Sequence, residues 1–304
     1  MKPVRIGTRG SKLAMWQAQW VADQLQQRGI DTELIIISTQ GDVTTGPLSQ
    51  GGGQGLFTKE IQRELLENRV DVAVHSLKDL PTQPVEGLIL SAVPSRENTA
   101  DCLISRNGKK FAELPAHAKI GTGSSRRAAQ LRRWRQDIEV QDIRGNVDSR
   151  LRKLEEGLYD AIVLAAAGLT RLKLFGQVTE QLPQERVLPA VGQGALGLEC
   201  RQDDTETIQA LSKLDDPESH AAVVAERALL RTLMAGCLAP VAALGRVVHD
   251  EVILRGRVIA LDGSEVLEGQ VSGSATEPEL VGIMLGNQLL EQGADRLISQ
   301  LRSK

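Results

Sequence analysis

Asp79 stands in the stretch HSLKDLP, next to Lys78 and four residues after His75, directly behind the apolar run Val72, Ala73 and Val74. A run of that kind makes a buried strand, so these polar residues fall at a strand end, where α/β proteins place ligands. A carboxylate beside cationic groups stays ionised near neutral pH, which suits Asp79 to stabilising a positively charged intermediate or steering a proton. A purely structural role for the same residues is the competing reading. Lys78 is placed to contact a substrate carboxylate. His75 is expected to be a turn or packing residue, and His117, His220 and His249 lack metal-ligand spacing.

The densest basic feature is Arg126, Arg127, Arg132, Arg133 and Arg135. With a helix starting near Ser125, the first pair sits where backbone N–H groups already favour an anion. It forfeits dipole energy unless a negative group compensates. Gly121, Thr122, Gly123 and Ser124 add hydroxyl and backbone donors, so an anion site is expected there. GTGSS lacks the spacing and the lysine of a nucleotide P-loop. Arg132, Arg133 and Arg135 are expected to be solvated surface charges. In RGNVDSR, Arg144 and Arg150 flank a Gly-Asn turn, and they either aim two planar forks at one acidic ligand or form structural salt bridges. Arg9 and Ser11, just after the first strand, hold a similar position.

Cys102 and Cys200 lie in apolar runs and are expected in the core, whereas Cys237, in MAGCLAP between a helix and Pro240, falls in a turn that can expose its sulfur. No adjacent His marks a protease-like pair, and both covalent function and packing fit. Three isolated cysteines suit a reducing compartment.

Composition narrows the classes. The 304 residues carry 36 Lys and Arg against 39 Asp and Glu, a net charge of −3, which argues against a general nucleic-acid coat or a polybasic membrane anchor. Three Phe, one Tyr and three Trp offer few platforms for stacking bases. The chain start lacks an export signal and no apolar run approaches a membrane span, so a cytoplasmic setting is expected. Charge is regional: residues 119–153 hold ten Lys or Arg against four Asp or Glu, while residues 215–304 hold eight against thirteen.

The elements that must position these residues change period along the chain. Val4–Ile6 and Leu34–Ile37 are strand-like, Ser11 caps a helix carrying Leu13, Trp16, Trp20 and Val21, and a glycine-rich turn at Gly51, Gly52, Gly53 and Gly55 precedes a helix from about Thr58 to Asn68. A second α/β series follows Asp101: a strand and turn before the arginine helix, a short strand in EVQDI, a helix over Val147–Glu156 and a buried strand over Asp160–Ala165. LPAVGQGALGLEC is a turn-rich stretch that returns the chain to the first module. The last part holds an amphipathic helix, three antiparallel strands with an Asp262-Gly263 hairpin turn, and terminal helices over Glu277–Leu301.

GTRGS at 7–11, GGGQGLFTKE at 51–60, DVAVHSLKDLP at 71–81, RGNVDSR at 144–150, LAAAGLTRL at 164–172, LPAVGQGALGLEC at 188–200 and AGCLAP at 235–240 occur in family order. As a set covering essentially the whole chain, they resemble the hydroxymethylbilane synthase family, also called porphobilinogen deaminases. The resemblance implies an α/β fold of two hinged, periplasmic-binding-protein-like domains, residues 1–96 with 193–214 and residues 97–192. A smaller C-terminal α+β domain at 215–304 would carry the cofactor. It further implies a dipyrromethane primer joined through a thioether to Cys237. Four porphobilinogen molecules would be deaminated and joined head to tail on the growing pyrrole chain, and hydrolysis would release the linear tetrapyrrole hydroxymethylbilane.

On the matched positions, Asp79 would be catalytic. Ser11, Lys78, Asp79, Ser124, Arg126, Arg127 and Arg144 would hold the cofactor, and Arg9, Ser11, Arg144, Arg150, Arg171 and Lys59 the substrate. Each porphobilinogen brings an acetate and a propionate, which gives the basic bias a purpose. The chain departs from the family pattern at Gln40, at Gln54, in GTGSSRR and in AGCLAP, changes that bear on loop behaviour and carboxylate contacts. A noncatalytic anion-binding protein would use the same arginines without needing Cys237.

Overall fold

The computed structural model describes residues 2–38, 58–236 and 239–299; Gln40, Gln54, Gly51, Gly52, Gly53, Gly55 and Cys237 lie outside them. In chain order the first elements are β1 (Val4–Thr8), α1 (Lys12–Gln26), β2 (Thr32–Ile36), α2 (Lys59–Leu66), β3 (Val72–Ser76) and β4 (Leu88–Ala92). There follow β5 (Asp101–Ser105), β6 (Lys119–Gly121), α3 (Ser125–Trp134), β7 (Glu139–Gln141), α4 (Val147–Glu155), β8 (Ala161–Ala165), α5 (Ala166–Arg171) and β9 (Glu180–Gln181). The remainder comprises β10 (Leu196–Arg201), α6 (Thr205–Ser212), α7 (Pro217–Thr232), β11 (Val241–Val248), β12 (Glu251–Ile259), β13 (Val266–Ser274), α8 (Pro278–Glu291) and α9 (Ala294–Ser299). Contacts gather these into two compact units, residues 1–96 with 195–220 and residues 97–194 with 221–304.

The first unit is built on a five-stranded sheet in the order β2-β1-β3-β10-β4. β1 runs parallel to β2 and β3, while β10 is antiparallel to β3 and β4. Apolar residues occupy both faces of the central strands because helices cover both. Ile6, Val72, Val74 and Leu198 pack on Ala18, Val21, Ala22 and Leu25 of α1. On the other face Ala73 packs with Ile61 and Leu65 of α2. Ser11 caps α1 as expected, its Oγ accepting from the Ala14 N–H at 3.3 Å. The buried stripe of that helix is narrower than the broad apolar face expected, and it includes Gln17.

The second unit repeats this plan in the order β7-β6-β8-β5-β9, with β6 parallel to β7 and β8, and β5 antiparallel to β8. Leu103, Ile120 and Val163 pack with Leu131 and Phe111 on one face. Cys102, Ile162 and Leu164 pack with Leu151, Leu154 and Leu169 on the other. Cys102 and Cys200 are core residues, and burial pushes the Cys102 thiol up to about 11. LPAVGQGALGLEC does turn, at Gly192 and Gly194, but its second half is the buried strand β10. β4, the two-residue β9 and helix α6 are additions to the elements expected, since short segments carry little periodicity.

The same unit holds a third, antiparallel sheet, β11-β12-β13, backed by α7, α8 and α9 around Leu229, Leu254 and Leu285. Its Asp262-Gly263 hairpin tip presses on α3. Gly263 has φ of +78°, and a Cβ there would lie 2.7 Å from the Arg133 nitrogen and 2.8 Å from the Ala129 oxygen, so only glycine fits. The expectation that Arg132, Arg133 and Arg135 are solvated holds for Arg133, which is exposed, and is corrected for Arg132 and Arg135, which are half-buried. Arg132 donates to the Leu261 and Val140 carbonyls, Arg133 to the Ser264 carbonyl, and Arg135 to the Phe111 and Leu114 carbonyls and to Asp137. Arg132 and Arg135 each bind two backbone carbonyls through one planar guanidinium, and Arg133 binds one.

At the opposite strand ends of the first unit, Asp71 ties β1 to β10. It accepts from Arg5 Nη2 at 2.7 Å, Arg5 Nε at 3.0 Å and Arg201 Nη2 at 3.0 Å. Burial alone would raise this carboxyl, but the hydrogen bonds of Arg5 and Arg201 and the charge of Arg5 outweigh it and hold the pKa down at about 2, below the usual carboxylate range. A group lowered on folding stabilises above its unfolded value and loses that contribution as the pH falls through its folded one. The gap in urea midpoint between the wild type and Asp71→Asn is therefore expected to be widest above pH 4 and to narrow toward pH 2. A gap constant over that window would exclude the pairing.

Candidate functional site

The first unit contains a pocket at the carboxyl ends of β1 and β3, lined by Arg9, Ser11, Gln17, Thr58, His75, Ser76 and Asp79 among others. β3 ends at Ser76 and the chain turns through a single 3-10 turn, Leu77–Asp79, which buries Leu77 and leaves Asp79 exposed at the pocket. Arg9 and Ser11 arrive from the β1–α1 turn, so the predicted acid, cation and hydroxyl share one cavity. The pocket's position follows from topology, because two parallel strands and the helix after β1 leave an open crevice at their carboxyl ends.

Two side chains here had not been singled out in the sequence. Gln17, 2% exposed, donates from Nε2 to Ser76 Oγ at 2.8 Å and so fixes the end of β3 against α1. Thr58 precedes α2, and its buried Oγ1 has no hydrogen-bond partner. An amide interrupting the buried stripe of α1 was the signal for the first. Of the two alternatives expected for His75, a turn or a packing residue, the second holds: it is the fourth residue of β3, buried, with Nε2 at 3.2 Å from Glu199. Lys59 is exposed at the start of α2 and does not line the pocket, while Lys78 is half-buried in the 3-10 turn.

The second unit holds the arginines. Ser124 caps α3, its Oγ accepting from the Arg127 N–H at 3.4 Å, and this places Arg126 and Arg127 in the first turn. They are only 3% and 5% exposed, and both face Asp101, whose exposure is 0%. Arg126 Nη2 lies 2.8 Å from Asp101 Oδ2, and Arg127 Nε lies 2.9 Å from Oδ1. Arg126 also donates to the Leu188 carbonyl, and Arg127 to the Val163 carbonyl and Gln193. Gln193 completes the clamp by donating to Asp101 Oδ1 at 2.9 Å. The anion expected at this helix start is therefore met from inside the chain, by the residue that opens β5, 25 positions before Arg126.

Burial opposes every charge in this cluster. It pushes the Asp101 carboxyl up, but Arg126 and Arg127 outweigh it and hold that group well below the usual carboxylate range. For Arg126 burial prevails over the pull of Asp101 and lowers its pKa. One carboxylate between two guanidiniums leaves the cluster net positive, and Arg126 Nε is buried without a hydrogen-bond partner. Arg171, 7% exposed, donates to the Gly194 carbonyl at 2.7 Å; burial lowers it to about 10 against the attraction of Glu97. Gly194 has φ of +89° and a Cβ there would meet the Glu97 carbonyl oxygen at 2.3 Å, so this turn too requires glycine.

Arg144 and Arg150 bracket the turn before α4 and its first residues, as the spacing implied. Each has a local partner: Arg144 Nε lies 2.8 Å from Asp142 Oδ2, and Arg150 Nε donates to the Gly145 carbonyl at 2.8 Å. Both remain half-exposed, unlike Arg126 and Arg127. Among the described residues no group of three or more His, Cys, Asp or Glu could hold a metal ion, and no helix is long and apolar enough to cross a membrane.

Removing the central carboxylate strands two buried cations, a change that costs about 3–5 kcal/mol. Asp101→Ala is accordingly expected to lose about that much stability in urea denaturation, and Arg144→Ala, at a half-exposed site, less than about 1 kcal/mol. Equal effects of the two substitutions would contradict the clamp.

The sequence matches two family models: "Porphobilinogen deaminase, dipyromethane cofactor binding domain" over residues 4–209 and "Porphobilinogen deaminase, C-terminal domain" over residues 220–291. The porphobilinogen deaminase of Desulforudis audaxviator is 48% identical over 305 residues, covering 99% of both chains. That of Geotalea uraniireducens is 47% identical over 304 residues, covering 99% of this chain and 95% of the relative. Among solved structures, the methionine-binding protein MetQ is similar with a TM-score of 0.43 at 10% identity, covering 69% of this chain and 89% of its own. Matches of this identity and length, spanning both units, show that the chain belongs to the porphobilinogen deaminase family.

Proposed function

We propose that the chain is a transferase that deaminates four porphobilinogen molecules stepwise, joins them head to tail on a dipyrromethane attached to Cys237, and releases hydroxymethylbilane by hydrolysis. The observation that carries this reading is the exposed Asp79 in a pocket with Arg9 and Ser11, within a chain matched along its length by porphobilinogen deaminases. An acidic pyrrole group fits the donors present. The arginine cluster at α3 is net positive after its internal carboxylate is counted, and it keeps an unpartnered buried Nε on Arg126.

Dipyrromethane, when bound, supplies the pyrrole carbon to which incoming units are joined. The chain's own residues do the rest. Asp79 presents a carboxylate to pyrrole N–H groups, stabilising the positive charge that develops as ammonia leaves, and it assists proton movement. Arg9 and Ser11 orient carboxylates in the same pocket. Lys78, Ser124, Arg126, Arg127 and Arg144 hold the cofactor's acidic side chains, and Arg144, Arg150, Arg171 and Lys59 those of the substrate. Fork-shaped donors suit carboxylates because they bind them through two parallel hydrogen bonds. We also assign the protein to the cytoplasm as a monomer, in keeping with its isolated, buried Cys102 and Cys200. The division into domains at 1–96 with 193–214, 97–192 and 215–304 is supported by the separate C-terminal match over 220–291.

Intact mass under denaturing conditions is expected to show an increment of two linked pyrrole units in the wild type and none in Cys237→Ala; an increment in both would remove Cys237 from the attachment. Asp79→Asn is expected to keep the wild-type thermal midpoint and lose at least about 100-fold in turnover, the scale of a positioned proton-transfer or charge-stabilising group. Wild-type turnover in that variant would remove Asp79 from the chemistry.

A further inference from the structure

Behind the Asp79 pocket lies a buried polar cluster that the roles above leave unused. Glu199 on β10, 6% exposed, accepts from Gln62 Nε2 at 3.1 and 3.0 Å through its two carboxylate oxygens. One of those oxygens also lies 3.2 Å from Nε2 of His75, itself 4% exposed. The strand pairing explains the meeting. β10 runs antiparallel to β3 with Gly197 opposite His75 and Glu199 opposite Ala73, so His75 and Glu199 are diagonal neighbours on one face. Gln62 reaches the same carboxylate from α2.

Taking a carboxylate out of water costs several kcal/mol, and a simple packing site would hold an apolar residue at less cost. Here the carboxylate is backed, through Nε2, against His75, one of the residues that line the pocket holding Asp79. A carboxylate behind an imidazole fixes the ring's orientation and tautomer and favours its protonated form. Imidazole is also the side chain suited to taking and giving a proton near neutrality.

We infer that His75 and Glu199 form a second acid–base pair at the Asp79 pocket, in which His75 takes up the proton released at each condensation and Glu199 positions and charges it. This rests on the assignment of the Asp79 pocket to the reaction. The step balances simply. A substrate ammonium and a pyrrole C–H give a new C–C bond, ammonia and one proton. The C–N bond breaks with its electron pair leaving on ammonia, the C–H pair stays with the ring, and the proton passes to a ring nitrogen of His75 and then to water. Glu199 is a positioning residue, since it acts through the imidazole. Arg9 and Asp79 are the charged residues that line the same pocket as His75; Gln62 of α2 meets Glu199, and Thr58, just before α2, and Gln17 of α1 add neutral groups to the lining. Arg201, farther along β10, is committed to Asp71 and Asp204.

The chain has four histidines, so their ring protons can be followed individually by NMR titration, with His75→Gln assigning the His75 signal. In Glu199→Gln, which keeps shape and hydrogen bonding while removing the charge, the proton affinity of His75 is expected to fall at least about tenfold. The acid limb of the kcat/KM profile should move to lower pH by the same factor, and in His75→Gln that limb should disappear. A titration that does not move in Glu199→Gln, or one that moves while the pH profile stays fixed, would overturn the pair. If Glu199→Gln fails to fold, Gln62→Leu, which releases one side of the carboxylate, must alter the same two readouts for the inference to stand. Asp79→Asn run alongside separates the outcomes: full activity there sinks the assignment of the pocket, whereas failure of the His75 readouts with an inactive Asp79→Asn sinks only the pair.

Discussion

Asp101 carries a negative charge with no exposure to water, and much of the second unit is arranged around keeping it there. Its oxygens receive Arg126, Arg127 and Gln193, which belong to the first turn of α3 and to the loop that leads into β10. The same arginines reach the Leu188 and Val163 carbonyls, so the start of β5, the end of β8, the start of α3 and the loop before β10 meet at one point. Desolvation makes each of these charges expensive alone, and only their joint geometry offsets it. Two cations on one anion leave positive charge in reserve at a helix N-terminus, a setting that favours acidic ligands.

The loop carrying Gln193 is held from its other side as well. Glu226 of α7, 0% exposed, accepts from the Gly192 N–H at 2.7 Å and from the Gly245 N–H on β11 at 2.7 Å. Gly194, locked by a positive φ and by the Glu97 carbonyl, lends its own oxygen to Arg171. The C-terminal sheet is thus continuous in hydrogen bonding with the arginine cluster, through α7 at one side and through the Gly263 hairpin on α3 at the other.

The first unit places its chemistry differently. Asp79 is exposed, on a turn whose only buried member is Leu77, and the precision comes from what lies beneath. Gln17 holds Ser76, and Glu199 holds His75, so the end of β3 is fixed from α1 on one side and from β10 and α2 on the other. An exposed acid on a fixed strand end keeps access to solvent and ligand while its reach stays defined.

The sequence by itself determined the α/β class, the helix and strand periods around β1, α1, β3, α4 and the C-terminal strands, the cap at Ser11, and the family through motifs in fixed order. These are local properties: a cap, an apolar run or a Gly-Asn turn acts within a few residues and is legible one segment at a time. Only the tertiary structure decided that Arg126 and Arg127 spend their charge on Asp101, that Arg132 and Arg133 close carbonyls of a distant hairpin, and that His75 meets Glu199. The residues in these pairs lie from 25 to 131 positions apart. Whether a charge is solvated or buried depends on what the sheet order brings beside it, and burial sets the cost of leaving it unpaired.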